Sequence, residues 1–335
     1  MSFLARLYFS VKAIVVILFL CMTLAPIVPI MCLVWVIVRP FSRVVYLKFA
    51  SFLQMSWLSV EVFTFEILSN VKLRITGDVP TPEPALCISN HITHDYVMIY
   101  SLAYRTGTLA DTRAIIKNSI KYTPFLGPAV YMCYWPFISR NFQKDIRTLK
   151  SLFKLYREAD MPAQIWIFPE GTRLAEDKLK SSQEYAAKKG YPVWNNVMLP
   201  KYRGFSTALD SMKETFHRIN DVTIQFEGWP DERIPGLWDI FAADTRVPHT
   251  LHIHIKRHNI ADVPENDEGR QKWLMDRFEE KEALINDYKK NNRRFPGKEL
   301  SMNIVLSQII VHPLVWGIGS FAACFASWYY YPYQF

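Results

Sequence analysis

The sequence predicts an α/β domain with a central sheet flanked by helices, held between N-terminal and C-terminal membrane helices. Three observations carry that reading. Short apolar runs at Ala85 to Ile88, Ala114 to Ile116, Tyr131 to Ile138, Gln164 to Phe168 and Val222 to Phe226 are interleaved with helical patterns, among them Leu149, Leu152, Phe153 and Tyr156 at i, i+3, i+4 and i+7. From Ala13 to Val38 roughly 26 consecutive residues carry no charge, enough to cross a bilayer of about 30 Å. A second stretch, Met302 to Tyr331, holds Gly317 and Gly319 but no Asp, Glu, Lys or Arg, and belongs in the membrane on the same ground.

Taken in order, residues 1–43 form an N-terminal membrane segment. Pro26 and Pro29 sit inside its apolar run and each removes a helical hydrogen bond, so one kinked span and a re-entrant hairpin are both consistent with it. Residues 44–84 follow as an interfacial helix and linker. Val44 to Ser69 is apolar and aromatic with Lys48, Glu61 and Glu66 as its charges, and the proline-rich stretch Asp78 to Pro84 ends it. Residues 85–298 form the globular domain, which ends in a charged amphipathic helix over Asp267 to Lys290 with Trp273, Leu274, Phe278, Leu284, Ile285 and Tyr288 toward the core. Residues 299–335 form the C-terminal membrane segment.

The net charge of the 335-residue chain is +8. Arg6, Lys12, Arg39 and Arg43 flank the first apolar run, and Lys289, Lys290, Arg293, Arg294 and Lys298 precede the second, a distribution that places the domain on the cytosolic side. The charge suits anionic headgroups and the phosphates of a coenzyme. Nucleic acid is disfavoured, because no zinc-finger spacing, arginine-rich arm or recognition-helix pattern is present. The five cysteines, Cys21, Cys32, Cys87, Cys133 and Cys324, are scattered, as reduced buried thiols are and a disulfide framework is not. His249 to His258 alternates, with Leu251, Ile253 and Ile255 on one face and His252 and His254 on an exposed one. No cysteine or carboxylate completes a metal ligand set there, so no metal is expected.

Two short motifs carry the chemistry. In Ser89-Asn90-His91-Ile92-Thr93-His94-Asp95-Tyr96, His91 and Asp95 stand four residues apart, about 40° from one another on a helix, so the carboxylate can hold one imidazole nitrogen and leave the other to accept a proton. The strand-like run before Ser89 favours this reading, since strand ends leading into helices often hold catalytic groups in α/β folds. The plainer alternative has Asn90 capping the helix and His91 in water. His94 is a weaker rival base, because directly adjacent residues diverge on a helix. In Phe168-Pro169-Glu170-Gly171-Thr172-Arg173, Gly171 permits close backbone approach, Arg173 can grip a phosphate, and Glu170 can bond a hydroxyl or hold Arg173. An ordinary turn with an exposed ion pair is its alternative.

These motifs, with Tyr134 to Arg140 between them and Val197 to Lys201 after, resemble the four ordered blocks of the glycerolipid acyltransferase family, which includes 1-acylglycerol-3-phosphate acyltransferases. The similarity spans roughly Ile88 to Pro296. His252 to Ile255, Trp273 to Tyr288 and Arg294 to Lys298 resemble the epsilon-type and lysocardiolipin acyltransferase branch. The resemblance implies a mixed sheet and a catalytic dyad of His91 and Asp95. It also implies acceptor binding by Arg140 with Glu170, Gly171, Thr172 and Arg173, an acyl-CoA site shaped by Leu199 and Pro200, and a substrate-binding role for Lys201. Two departures stand out: the family spacing is His-x4-Asp where this chain has His-x3-Asp, and Lys201 occupies a position where the branch usually carries arginine.

The expected function is therefore an acyl-CoA-dependent lysophospholipid O-acyltransferase that makes phosphatidic acid from 1-acyl-sn-glycerol-3-phosphate. It would need no cofactor beyond acyl-CoA as co-substrate, and its partners would be acyl-CoA, the lysophospholipid and membrane lipids. Lysophosphatidylinositol or lysocardiolipin acylation is an alternative, as is a non-catalytic lipid-binding relative, given the short spacing. Family analogy implies an integral protein of the endoplasmic reticulum, with a mitochondrial membrane as the alternative.

Overall fold

The structure, a computed structural model, describes residues 3–92, 95–123, 126–139, 141–212, 214–227, 237–242 and 249–330. His94 and Arg140 lie outside the described residues. Helices α1 (Phe3–Leu24) and α2 (Ile27–Ile37) meet at Pro26, whose φ of −76° and ψ of −23° keep the backbone helical. Both prolines thus fall at the start of α2, where a missing N–H is tolerated, and the chain continues as an interrupted helix without folding back as a hairpin. Residues 7–37 are long and apolar enough to cross a bilayer. Helix α3 (Arg43–Phe63) is capped by Ser42, whose Oγ accepts from the Val45 amide, and runs into a π-helical turn at Thr64–Leu68.

Next come β1 (Val71–Gly77), β2 (Ala85–Ser89), α4 (Asp95–Arg105), β3 (Thr112–Ala114), β4 (Ile116–Lys117), α5 (Leu126–Met132), β5 (Phe137–Ile138), α6 (Phe142–Glu158) and β6 (Gln164–Ile167). The remaining elements are α7 (Glu176–Lys189), α8 (Tyr202–Met212), β7 (Arg218–Glu227), α9 (Leu237–Phe241), β8 (His249–Asn259), α10 (Asp267–Lys290), α11 (Leu306–Ile309) and α12 (Val311–Tyr330). Six strands form a mixed sheet in the order β1-β8-β7-β2-β6-β3, with β4 and β5 pairing separately. Every pairing is parallel except β7 with β8.

Central strands covered on both faces need apolar residues at nearly every position, which explains their unbroken runs. Along β2, Leu86 and Ile88 face a layer built with Phe153 of α6, Phe205 of α8 and Phe278 of α10. Cys87 faces the opposite layer, which includes Met98 of α4 and Leu53 of α3. The run Tyr131 to Ile138, expected as a strand, is instead the end of α5, a turn and the two residues of β5. In that turn Tyr134 adopts a φ of +57°. The face of β8 with His252 and His254 is covered, not exposed. β8 lies between β1 and β7, so α10 and Phe295 close over it: the His252 ring meets Tyr288 and the His254 ring meets Phe295. His252 is buried and its Nε2 bonds Glu227 at 2.8 Å, while burial lowers its pKa against the pull of that carboxylate.

The first part of the C-terminal apolar run docks on the domain before α12 begins. The Leu300 amide donates to the Ile75 carbonyl at 2.8 Å, and the Arg105 Nε to the Met302 carbonyl at 2.7 Å. Arg105 also makes two 2.6 Å bonds to the buried Glu66 carboxylate. Helix α12 packs against α1 and α3: Trp316 donates to Ser56 at 2.7 Å, and Ser320 donates to the Met22 carbonyl at 2.6 Å.

Helix α10 is fixed to the sheet by a buried cation. Lys281 is fully buried, donates to the Val222 carbonyl at 2.6 Å and pairs with Asp221. Removing one partner of such a pair strands the other. Lys281→Met should therefore lower the unfolding free energy of the detergent-solubilised protein by about 3–5 kcal/mol in denaturant titration, and adding Asp221→Leu should restore much of the loss.

Candidate active site

The site lies at the carboxyl ends of β2 and β6, where α/β sheets place ligands. Strand β2 ends at Ser89, and the chain then leaves the sheet. The Asn90 side chain extends the ladder by one step, its amide donating to the Ile224 carbonyl at 3.1 Å while its oxygen accepts from the Ile224 amide at 2.9 Å. Asn90 is thus tied to β7 and is not the cap of α4. His91 follows in the connecting loop, and Asp95 is the first residue of α4. The two were expected on one helix turn; His91 stands instead outside helix α4, which carries Asp95.

Their contact is short. His91 Nδ1 lies 2.6 Å from Asp95 Oδ2, and among the described residues no group bonds the other ring nitrogen. The His91 ring stacks on Phe168 at a centroid separation of 4.3 Å and an angle of 21°. Both of its backbone groups are bound to the loop after β6, the amide to Glu170 Oε1 at 3.2 Å and the carbonyl to the Leu174 amide at 2.7 Å. The imidazole is therefore held by its ring face, its backbone and one nitrogen, and its side chain retains 20% exposure on the open side.

The second motif closes over this loop. Glu170 is buried and holds the His91 amide, not Arg173. Burial pushes its carboxyl well above the ordinary range, against the opposing pull of the His91 amide and Lys281. Asp95 is also raised by burial, opposed by its bond to His91 and by the charge of Arg173. Gly171 has a φ of +72°, and a Cβ there would come 3.2 Å from Lys201 Nζ, so glycine both makes the turn and leaves room for the lysine. Arg173 and Lys201 are exposed, Thr172 is half-buried, and the Lys201 amide donates to the Pro169 carbonyl at 2.8 Å. Leu199 and Pro200 are half-buried beside this loop, Leu199 anchored by a 3.0 Å bond from its amide to Ser182 Oγ.

The structure thus joins His91, Asp95, Glu170, Gly171 and Lys201, and brings Arg173 near enough for its charge to act on Asp95. Three contributors were not legible in advance. Phe168 flanks the ring, Asn90 sets where the strand ends, and Lys281 lies beneath as the cation that Glu170 feels. The position of Asn90 directly before His91 was a usable signal. Lys281, 111 positions beyond Glu170, gave none. Among the described residues no cluster of His, Cys, Asp and Glu could hold a metal ion.

Comparison with known proteins gives the family. The family model described as Acyltransferase matches residues 70–212, and that described as Acyltransferase C-terminus matches 245–316. A protein named 1-acyl-sn-glycerol-3-phosphate acyltransferase 2 from Arabidopsis thaliana is 32% identical over 88% of this chain and 78% of its own length. The 1-acyl-sn-glycerol-3-phosphate acyltransferase epsilon of Mus musculus is 29% identical over 76% of this chain and 73% of its own. Lysocardiolipin acyltransferase 1 of Danio rerio is 28% identical over 72% and 62%.

The raised Glu170 sets a pH dependence. Above the ordinary glutamate range, and up to its raised folded value, the native protein keeps a proton that the unfolded chain has lost, so stability falls as pH rises. Glu170→Gln removes that proton equilibrium. Thermal unfolding midpoints followed from about pH 4 to 8 should decline less steeply in the variant than in the wild type.

Proposed function

The chain belongs to the glycerolipid acyltransferase family, and we propose that its reaction is transfer of a fatty acyl group from acyl-CoA to the free hydroxyl of 1-acyl-sn-glycerol-3-phosphate. The observation that carries this reading is the 2.6 Å contact between His91 and Asp95, with the other imidazole nitrogen unbonded among the described residues. Four-residue spacing gives the pair a sound geometry because His91 stands in the loop before α4, and this favours an active enzyme over a lipid-binding relative.

In this mechanism Asp95 holds Nδ1–H, so that Nε2 is the basic nitrogen. The acceptor hydroxyl gives its proton to Nε2 as its oxygen attacks the thioester carbonyl carbon. The tetrahedral intermediate collapses with loss of the coenzyme thiolate, which recovers the proton from the imidazolium. Asp95, buried and 2.6 Å from Nδ1, stabilises that imidazolium. Arg173, exposed at the rim near Asp95, offers a planar donor set to the acceptor's phosphate, a role proposed also for Arg140, which lies outside the described residues. Basic residues flanking the first apolar run and preceding the second support a cytosolic domain whose site opens at the bilayer surface, where the acceptor's chain stays in lipid.

His91→Ala should slow transfer of labelled acyl groups from acyl-CoA by about 10²- to 10⁴-fold without loss of folding. Wild-type turnover in that variant would remove His91 from the mechanism. Purified protein given lysophosphatidic acid, lysophosphatidylinositol and monolysocardiolipin should prefer the first. Arg173→Gln should raise the apparent KM for that acceptor by about tenfold and leave the KM for acyl-CoA nearly unchanged; the reverse pattern would assign the arginine to the donor.

A further inference from the structure

A second concave site stands where α2 gives way to α3. It is a cavity of about 200 Å³, walled by Trp35 and Arg39 after the apolar run, Arg43 at the start of α3, Lys121, Tyr134, and Ser151 of α6. Three cations converge there, and among the described residues none is paired with a carboxylate. The Arg39 guanidinium lies 4.2 Å over the Trp35 ring and its Nε donates to the Tyr134 hydroxyl at 2.9 Å. Lys121 Nζ lies 4.6 Å from the Phe137 ring centre, and the charge it feels most from a neighbour is that of another cation, Lys144. Arg39 and Lys121 are half-buried against ring faces and Arg43 is exposed beside them, so three like charges that no described carboxylate neutralises leave attraction for an anion.

The backbone adds an independent sign. Tyr134 ends α5 in the left-handed region, with its amide donating to the Tyr131 carbonyl at 3.0 Å and the next amide, of Trp135, to the Val130 carbonyl at 3.1 Å. Glycine is the usual occupant of this helix-ending position, and a residue with a Cβ costs on the order of 1 kcal/mol or more there. What the tyrosine supplies in exchange is a wall: its hydroxyl orients Arg39 and its ring lies 5.6 Å from that of Trp35.

Surroundings identify the ligand. Bare apolar side chains stand next to the cavity's cations along the chain, Phe41 at 89% exposure between Arg39 and Arg43 and Tyr122 at 81% beside Lys121, and α2 exposes Val36 and Leu33. The arginines follow immediately on the run long enough to span a bilayer, which puts them at headgroup level. The cavity is smaller than the roughly 300–1,000 Å³ that a nucleotide-sized ligand fills, so it suits a headgroup better than a coenzyme. We propose that this corner binds the phosphate of an anionic phospholipid of the bilayer, gripped by Arg39, Arg43 and Lys121, with the lipid's chains lying along the exposed face of α2. The site uses none of the residues assigned to acyl transfer and does not depend on that reading.

The test is lipid retention by the full chain. Wild-type protein in detergent is incubated with mixed micelles of equal phosphatidylglycerol and phosphatidylcholine, re-purified, and its bound lipid quantified by mass spectrometry. Phosphatidylglycerol should be enriched by about fivefold or more, the enrichment should shrink as salt is raised, and in an Arg39→Gln, Arg43→Gln, Lys121→Gln chain it should fall to near parity. Equal retention of the two lipids by the wild type, or undiminished enrichment in the folded triple variant, would overturn the proposal. So would displacement of the lipid by coenzyme A, which would give the pocket to the donor, or by millimolar inorganic phosphate, which would make it a free-anion site. If the triple variant does not fold, Arg39→Gln and Tyr134→Phe are read singly, and unchanged enrichment in both sinks the idea. Thiol release from acyl-CoA in the same preparations reports separately on the reaction: its absence would defeat the acyl-transfer mechanism and leave lipid retention as it stands.

Discussion

The reaction centre depends on how strand β2 is stopped. A strand inside a sheet must satisfy its own amides and carbonyls and those of its neighbours, so a chain that leaves the sheet orphans the groups facing it. Asn90 resolves this with a side-chain amide that reproduces one rung of the ladder on Ile224, letting the main chain turn away one residue early while β7 continues to Glu227. His91 is the first residue released. Its amide and carbonyl are taken up at once by Glu170 and the residues after Gly171, so the imidazole owes its position to β2, β6 and β7 together. Each neighbour lies far away in sequence.

Burial of charge around that loop is a connected problem. Asp95 and Glu170 are carboxyls of one region, and two ionised carboxylates in low dielectric would repel one another. Burial raises both carboxyls, the charge of Asp95 raises Glu170 further, and the bond to His91 works the other way on Asp95. Lys281 brings a compensating cation from α10 on the far side of the sheet, but Asp221 claims it directly. Glu170 can then hold the His91 amide without competing for the imidazole's proton. In such a division the two carboxyls carry different duties because their surroundings differ.

Much of the framework was legible in the sequence because hydrophobic period reports burial. The helix over Asp267 to Lys290 was expected at the bounds it takes: Asn266 caps it, acids open it and lysines close it. The runs at 85–88, 164–168 and 222–226 emerged as β2, β6 and β7, since strands covered on both faces read as continuous apolar segments. Tyr131 to Ile138 failed for an informative reason. Aromatic residues that line a pocket wall look like strand formers, and a tyrosine in a glycine's conformation carries no mark of it in sequence. His252 and His254 misled because alternation reveals two faces without saying whether a helix from elsewhere covers the second. The motif residues of the site were visible, but their arrangement was not, for a helical wheel assumes that His91 lies inside the helix that Asp95 begins.

The hydrogen bond from Ser320 to Met22 joins α1 and α12 across 298 residues. As the polypeptide leaves the ribosome, α1 emerges long before the helix that will cover part of its face, and sheet strands such as β1, which pairs with β8, wait almost as long for theirs. Such distant pairings raise the contact order and slow assembly, with apolar surface bare in the interval. Residues 7–37 are long and apolar enough to cross a bilayer, and a lipid environment shelters apolar surface of that kind through such an interval.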